Sequence, residues 1–209
     1  MKAHTKETQA TMTPQKSLEF LKEGNKRFQQ NLKANRNLLE QVSDTSGGQF
    51  PFATILSCID SRVPAELVFD QGVGDIFSVR VAGNISNEDI LGSMEFACEL
   101  AGTKLIVVLG HTSCGAIKGA CDHVKLGNLT ALIDKINPAV DAVTTPNNVG
   151  ERTSENTDFV NQVAEKNVQF TIDNIRENSP ILYELENNNR LLIVGAMYNV
   201  NTGAVTFYE

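Results

Sequence analysis

No run in the 209 residues approaches the roughly 18 consecutive apolar side chains of a membrane-spanning helix, and neither an internal repeat nor a low-complexity segment is present. A membrane span and a repeat array are thereby set aside. Cationic residues are in the minority, 18 Lys and Arg against 25 Asp and Glu, giving a net charge of -7 and a pI near 5.0. Nonspecific nucleic-acid binding needs a basic face, so it is disfavoured too. Residues 1–13 lack the apolar core and small-residue cleavage site of a secretory signal, which makes the cytoplasm the expected compartment. Only four cysteines occur, none in a Cys-x-x-Cys pair, so a disulfide redox protein is a remote reading and metal ligation a better use for them.

What is present is a chain with 41% hydrophobic residues, enough for a substantial core in one domain. Two apolar runs stand out, Phe52-Ala53-Thr54-Ile55-Leu56 and Leu105-Ile106-Val107-Val108-Leu109. Bounded by turn residues and rich in β-branched side chains, both read as buried neighbours in a parallel sheet. Residues 76–80 and 191–196 add strands, and 204–208, after the turn Asn201-Thr202-Gly203, add an edge strand. Helical patterns cover 14–32, opened by Thr13 and Pro14, then 88–100, the stretch beginning at Gly115, 158–176 and 180–186. Residues 43–49 and 137–156 read as turn-rich loops, the second with room for one short helix. The fold class is therefore α/β: a central, mostly parallel sheet with flanking helices, an N-terminal helical arm and a C-terminal edge strand.

The two central runs end on chemistry. Cys58 follows the first, and His111 and Cys114 follow the second, so two thiolates and one imidazole converge at the carboxyl ends of neighbouring strands, where open α/β sheets gather their ligands. That donor set suits zinc. A structural zinc site is normally closed by a fourth Cys or His, whereas the nearby residue here is Asp60, followed by Arg62, a cation that can hold it. An open, catalytic metal with a positioned water is the better reading. Alone, Cys58 or Cys114 would read as core, His111 as a satisfied loop histidine and Asp60 with Arg62 as a surface pair. Their conjunction outweighs each bland alternative. Cys98 reads as a small core residue, and Cys121 and His123, farther along the helix after Cys114, lie about two turns from it and outside the ligand set.

The pair Cys58-Ile59-Asp60-Ser61-Arg62 and His111-Thr112-Ser113-Cys114 resembles the two motifs of the β-class carbonic anhydrases. The similarity continues through Val63-Pro64-Ala65-Glu66, Arg80-Val81-Ala82-Gly83-Asn84 and Gly110, from about Pro14 to the C-terminus. It implies one zinc per subunit on Cys58, His111 and Cys114, with Asp60 as an alternative fourth ligand, and reversible hydration of carbon dioxide to bicarbonate and a proton by attack of zinc hydroxide. Asp60 and Arg62 would be catalytic, while Gln49, Phe77 and Gly115 would contact substrate, Gln49 from a partner subunit. The organisation expected is a flexible terminus, 1–13, and a single catalytic domain, 14–209, whose helical arm, 14–42, contacts a second subunit in a homodimer or dimer-based tetramer. No nucleic-acid or membrane partner is expected. The branch closed at low pH carries a tryptophan three positions before the first cysteine; this chain has Ile55 there and no tryptophan at all, which favours the open, plant-like branch. A carbon disulfide or carbonyl sulfide hydrolase, and a non-catalytic zinc or bicarbonate-sensing module, remain as alternatives.

Overall fold

Alternation along the apolar runs builds a sheet with two buried faces. A computed structural model describes residues 1–208. Its strands are β1 (Ala53–Ser57), β2 (Ile76–Arg80), β3 (Leu105–His111), β4 (Leu192–Tyr198) and β5 (Val205–Phe207), in the spatial order β2-β1-β3-β4-β5. The first four are parallel and β5 returns antiparallel along β4. Successive residues point to opposite faces. Leu56, Ile106 and Val108 join one apolar cluster, Ile55, Val107 and Leu109 the other. Covering both faces is what allows β1 and β3 to be buried along their whole length.

Among the described residues ten α-helices accompany the sheet: α1 (Lys6–Ala10), α2 (Pro14–Gln29), α3 (Leu38–Thr45), α4 (Ala65–Val68), α5 (Glu88–Glu95), α6 (Gly115–Cys121), α7 (Gly127–Ile133), α8 (Asn137–Ala142), α9 (Thr157–Asn178) and α10 (Pro180–Asn187). The long α9 buries Phe159, Val160, Val163, Val168, Ile172 and Ile175 against the first cluster. Helix α2 starts where Thr13 accepts from the Lys16 amide and Pro14 occupies the first turn, and it lays Leu21 on the second cluster of its own chain. Among the described residues no helix is long and apolar enough to cross a membrane.

Three local expectations change, and a fourth, the short helix allowed for in 137–156, is met. Residues 43–45, expected in a loop, are the last turn of α3, because Asn37 caps that helix and Gln41 buries itself under the 71–75 turn, accepting from the Val73 amide at 3.2 Å. The 137–156 stretch holds α8 and a short 3-10 turn at Val149–Glu151; Pro138 opens α8 rather than breaking it, since a first-turn proline has no intrahelical partner to lose. Helix α6 stops at Cys121, which leaves His123 outside it with φ 52°. The helix expected over 88–100 is α-helical only to Glu95 and continues as a π-helical turn, Phe96–Leu100, before Gly102 closes it at φ 81°.

The arm is tied down by contacts that local sequence does not announce. Asn25 donates to the Val68 and Gly203 carbonyls at 3.0 and 2.9 Å and accepts from the Val205 amide at 2.9 Å. A Cβ on Gly24 would fall 1.8 Å from the Phe69 carbonyl oxygen. Asp70, buried and at φ 46°, receives Arg27 at 2.5 Å, Arg36 at 2.7 Å and the Ala34 amide at 3.1 Å, and Arg36 also donates to its carbonyl. Burial works to raise the Asp70 pKa, but those donors outweigh it and the net shift is downward.

Gly24→Ala should therefore destabilise the fold by about 2 kcal/mol, read as a lower urea midpoint, because the side chain meets backbone that cannot yield locally. The lowered pKa of Asp70 makes its contribution complete above the ordinary carboxylate value of about 3.9 and lost as pH falls through the lower folded value. Asp70→Asn should cost about 3 kcal/mol at neutral pH, and its deficit against the parent protein should shrink in acid.

Candidate active site

Register puts the donors together. Ser57 on β1 pairs with Leu109 on β3, so the chain leaves β1 at Cys58 beside Gly110 and His111. Cys114 then caps α6, two residues after Thr112. The ligand atoms of Cys58, His111 and Cys114 all lie within 4.8 Å of one another, and all three residues are buried.

The donor set fits a tetrahedral zinc ion. The two sulfurs are 3.8 Å apart, and thiolates at about 2.3 Å from a tetrahedral metal would be separated by about 3.8 Å. His111 Nδ1 lies 3.0 Å from the Thr112 carbonyl, which requires Nδ1–H as donor and leaves Nε2 with its lone pair. Nε2 is buried and has no hydrogen-bond partner. Such an atom is normally satisfied, and the facing sulfurs do not satisfy it. The hydrogen bond with Cys114, helped by the neighbouring His111 ring and by the Gly83 and Asp60 backbone, pulls the Cys58 thiol down to about 4 against the effect of burial. The same bond, with burial, pushes Cys114 up, although amides of the first α6 turn at Ile117 and Ala116 act the other way. A cation bound between the two sulfurs would need both as thiolates, so its binding would release protons.

Backbone shape holds Cys58 in place. The Gly83 amide points at its sulfur at 3.4 Å. Gly83 has φ 68°, and a Cβ there would come within 2.7 Å of Ile136, so only glycine brings this amide to the thiolate. Arg80, at the carboxyl end of β2, donates from Nε to the Cys58 carbonyl at 3.0 Å and from Nη2 to the Asp60 carbonyl at 2.7 Å.

Asp60 and Arg62 meet as a fork. Arg62 Nε and Nη2 donate to Asp60 Oδ1 and Oδ2 at 2.9 and 2.7 Å, and the Arg62 amide adds a 3.0 Å bond to Oδ1. Arg62 Nη2 also reaches the Ser113 carbonyl at 3.3 Å. The guanidinium holds the Asp60 carboxyl well below the usual carboxylate range, so it is ionised at any working pH. Its Oδ2 lies 3.9 Å from His111 Nε2, which leaves it facing the space that the three donors surround.

The remaining sequence candidates are placed differently. Gly115 is exposed at the first position of α6, with open space where a Cβ would be. Gln49 is exposed before the amino end of β1, whereas Cys58 follows its carboxyl end, on the order of 15 Å along the strand direction. Phe77 lies on the edge strand β2, in a groove with Gly92 and Phe96, its ring centroid 6.3 Å from that of Phe96. Neither Gln49 nor Phe77 joins the donor cluster of its own chain. Cys98 hydrogen-bonds Thr103 and burial pushes its thiol up to about 12; Cys121, also buried, is pushed up to about 11. Sequence reasoning gave no role to Gly83 or Asn161, whose Oδ1 accepts from the Ser113 amide at 3.0 Å. Arg80 belongs to a stretch that the resemblance covers, but an asparagine near the start of a helix, 48 residues after Ser113, carries no local signal.

A family model described as carbonic anhydrase matches residues 53–205. The chain is 34% identical over 189 residues to carbonic anhydrase 2 of Mycobacterium tuberculosis, covering 88% of this chain and 87% of that protein. Among solved structures, the β-carbonic anhydrase CcaA superposes with a TM-score of 0.71 at 26% identity, over 92% of this chain and 95% of that one. A carbon disulfide hydrolase of Acidithiobacillus thiooxidans is similar over a shorter stretch, 32% identical across 77 residues, or 34% of this chain and 36% of that protein.

Loss of the two Arg80 bonds should loosen the turn that carries Cys58. Arg80→Gln is expected to weaken zinc retention by roughly 10- to 100-fold, measured by competition with a chelator, while the thermal midpoint stays near that of the parent protein.

Proposed function

The chain belongs to the β-class carbonic anhydrase family, and from that premise we propose how its side chains carry out the reversible hydration of carbon dioxide to bicarbonate and a proton. The observation that carries the reading is the convergence of Cys58, His111 and Cys114, with a buried and unpaired Nε2, beside a carboxylate fixed by arginine. These three residues hold one zinc ion, which supplies the Lewis acidity that makes water a nucleophile near neutral pH.

Asp60 does the orienting. Its ionised Oδ2 accepts a hydrogen bond from the attacking oxygen and turns the remaining lone pair toward the carbon of carbon dioxide. Arg62 occupies both carboxylate oxygens, which keeps Asp60 charged and committed to the guanidinium rather than free to become a ligand. Cys58 and Cys114 set the acidity of the site: two thiolates offset the double charge of such an ion, so the attacking water is less acidic than beside three imidazoles. Turnover therefore rises from neutral into mildly alkaline pH, and Asp60, already ionised, does not shape that rise.

Substrate contacts divide between subunits. Gly115 leaves room beside Cys114 for the planar product on one side. Gln49 and Phe77, exposed or half-buried away from their own donor cluster, serve the site of a partner in a homodimer or dimer-based tetramer. The placement of Gln49 supports this, since a single chain gives it no route to its own Cys58.

Hydrolysis of carbon disulfide or carbonyl sulfide would use the same donors and is the weaker reading, because similarity to such an enzyme extends over only 34% of the chain. A metal module without turnover would need a closed fourth position, against which the Arg62 fork on Asp60 argues.

Stopped-flow hydration of carbon dioxide from about pH 6.5 to 9, on protein with measured zinc content, tests the proposal. Expected are activity that climbs with pH, its loss on chelation, and a fall in Asp60→Ala of at least about tenfold at every pH. Zinc-loaded protein that is inactive throughout that range, yet turns over the sulfur analogues, would replace the carbon dioxide reading with the hydrolase one.

A further inference from the structure

Ser113 is where the turn from His111 to Cys114 departs furthest from ordinary backbone. Its φ is 55°, in the left-handed region that a residue with a Cβ enters only when its surroundings hold it there. Two hydrogen bonds run through this residue. Its N–H donates to Asn161 Oδ1 at 3.0 Å, and its carbonyl accepts from Arg62 Nη2 at 3.3 Å. Asn161 lies in the second turn of α9 among Phe159, Val160 and Val163, all fully buried, so its side chain is offered from a fixed position. An asparagine inside a helix does little for the helix itself. Here its oxygen is the acceptor toward which the left-handed Ser113 amide points.

We infer that Asn161 is a positioning residue for hydration. It holds Ser113 left-handed, and the Ser113 carbonyl then supplies the third acceptor around the Arg62 guanidinium, beside the two oxygens of Asp60. Arg62 is half exposed, and an exposed ion pair alone fixes its partners weakly. An acceptor on a turn braced by α9 restricts the guanidinium to the orientation that presents Asp60 Oδ2 to the site. Asn161 thus acts through Ser113 and Arg62 without touching the donors or the substrate. The inference rests on the carbonic anhydrase reading above.

The test compares Asn161→Ala, Asn161→Asp, and Asn161→Ala combined with Ser113→Gly, each with zinc content, thermal midpoint, kcat and KM for carbon dioxide, and a crystal structure. Asn161→Ala is expected to lose about tenfold in kcat with zinc and thermal midpoint retained, and its crystal structure to show Arg62 off the Ser113 carbonyl. Asn161→Asp keeps an acceptor and should retain most activity. Ser113→Gly should recover part of what Asn161→Ala loses, because glycine takes this backbone unaided. The inference is overturned if Asn161→Ala keeps the parent kcat, or if Ser113 and Arg62 stay in place in its crystal structure. A loss that tracks zinc or unfolding and is not recovered by the second substitution overturns it as well. An inactive parent protein overturns the carbonic anhydrase reading, and the crystal structures separate that failure from failure of the Asn161 contact.

Discussion

The parallel pairing of β1 with β3 is the constraint on which the rest depends. Because Ser57 lies opposite Leu109, Cys58 leaves the end of β1 beside the last two residues of β3, Gly110 and the donor His111. A shift of one residue would exchange the two faces of β1, sending Leu56 and Ile55 into the wrong clusters. The apolar packing that fixes register therefore also fixes the distance between the Cys58 and Cys114 sulfurs. Stability and site geometry share one cause. Helix α9, which covers one of those faces, reaches the site as well through Asn161.

Much of this was legible because the decisive elements are strongly patterned. The β1 and β3 runs are apolar throughout, as strands buried on both faces must be, and their donors follow within three residues of each strand end. Short helices were less legible. Helix α3 leaves Leu38, Leu39 and Val42 exposed and buries the polar Gln41, and α8 is short and built of small and polar residues. What makes them helical is a cap at Asn37 or a proline at the first turn, together with burial of Gln41, Ala139 and Val140. Such elements draw stability from tertiary contacts, which a window of sequence does not contain. The end of α5 at a π-helical turn was illegible for the same reason. Contacts between distant segments were least legible of all: Asn25 with Val68 and Gly203, and Asn161 with Ser113, join residues whose separation leaves no periodic trace.

The placement of Gln49 and Phe77 separates what motif spacing can give from what it cannot. The offset of Gln49 from Cys58 is a count along the chain, and β1 stretches that count into a distance too long for one subunit to close. On the proposed function, a residue so far from its own site acts only in an assembly. The groove at β2, where Phe77 meets Phe96, is on a sheet edge that no strand of the described residues covers. Both residues thus lie where a second copy has access.

Asp60 and Arg62 raise a different question, why so many bonds are spent on a pair near the surface. The Arg62 side chain is 50% exposed and that of Asp60 15%, and a pair of this kind adds little to folding stability. Yet it is held by three bonds between the two residues and a fourth to Ser113, itself in a conformation that needs support. Ordering of this degree costs side-chain entropy that an exposed pair does not recover from stability alone. A site that must keep one carboxylate oxygen aimed at the metal-facing space, while preventing that carboxylate from becoming a ligand, has a use for it. On the proposed mechanism, the density of bonds around Arg62 is accounted for by the requirements of orientation, which would extend outward through Ser113 to α9 and the core beneath it.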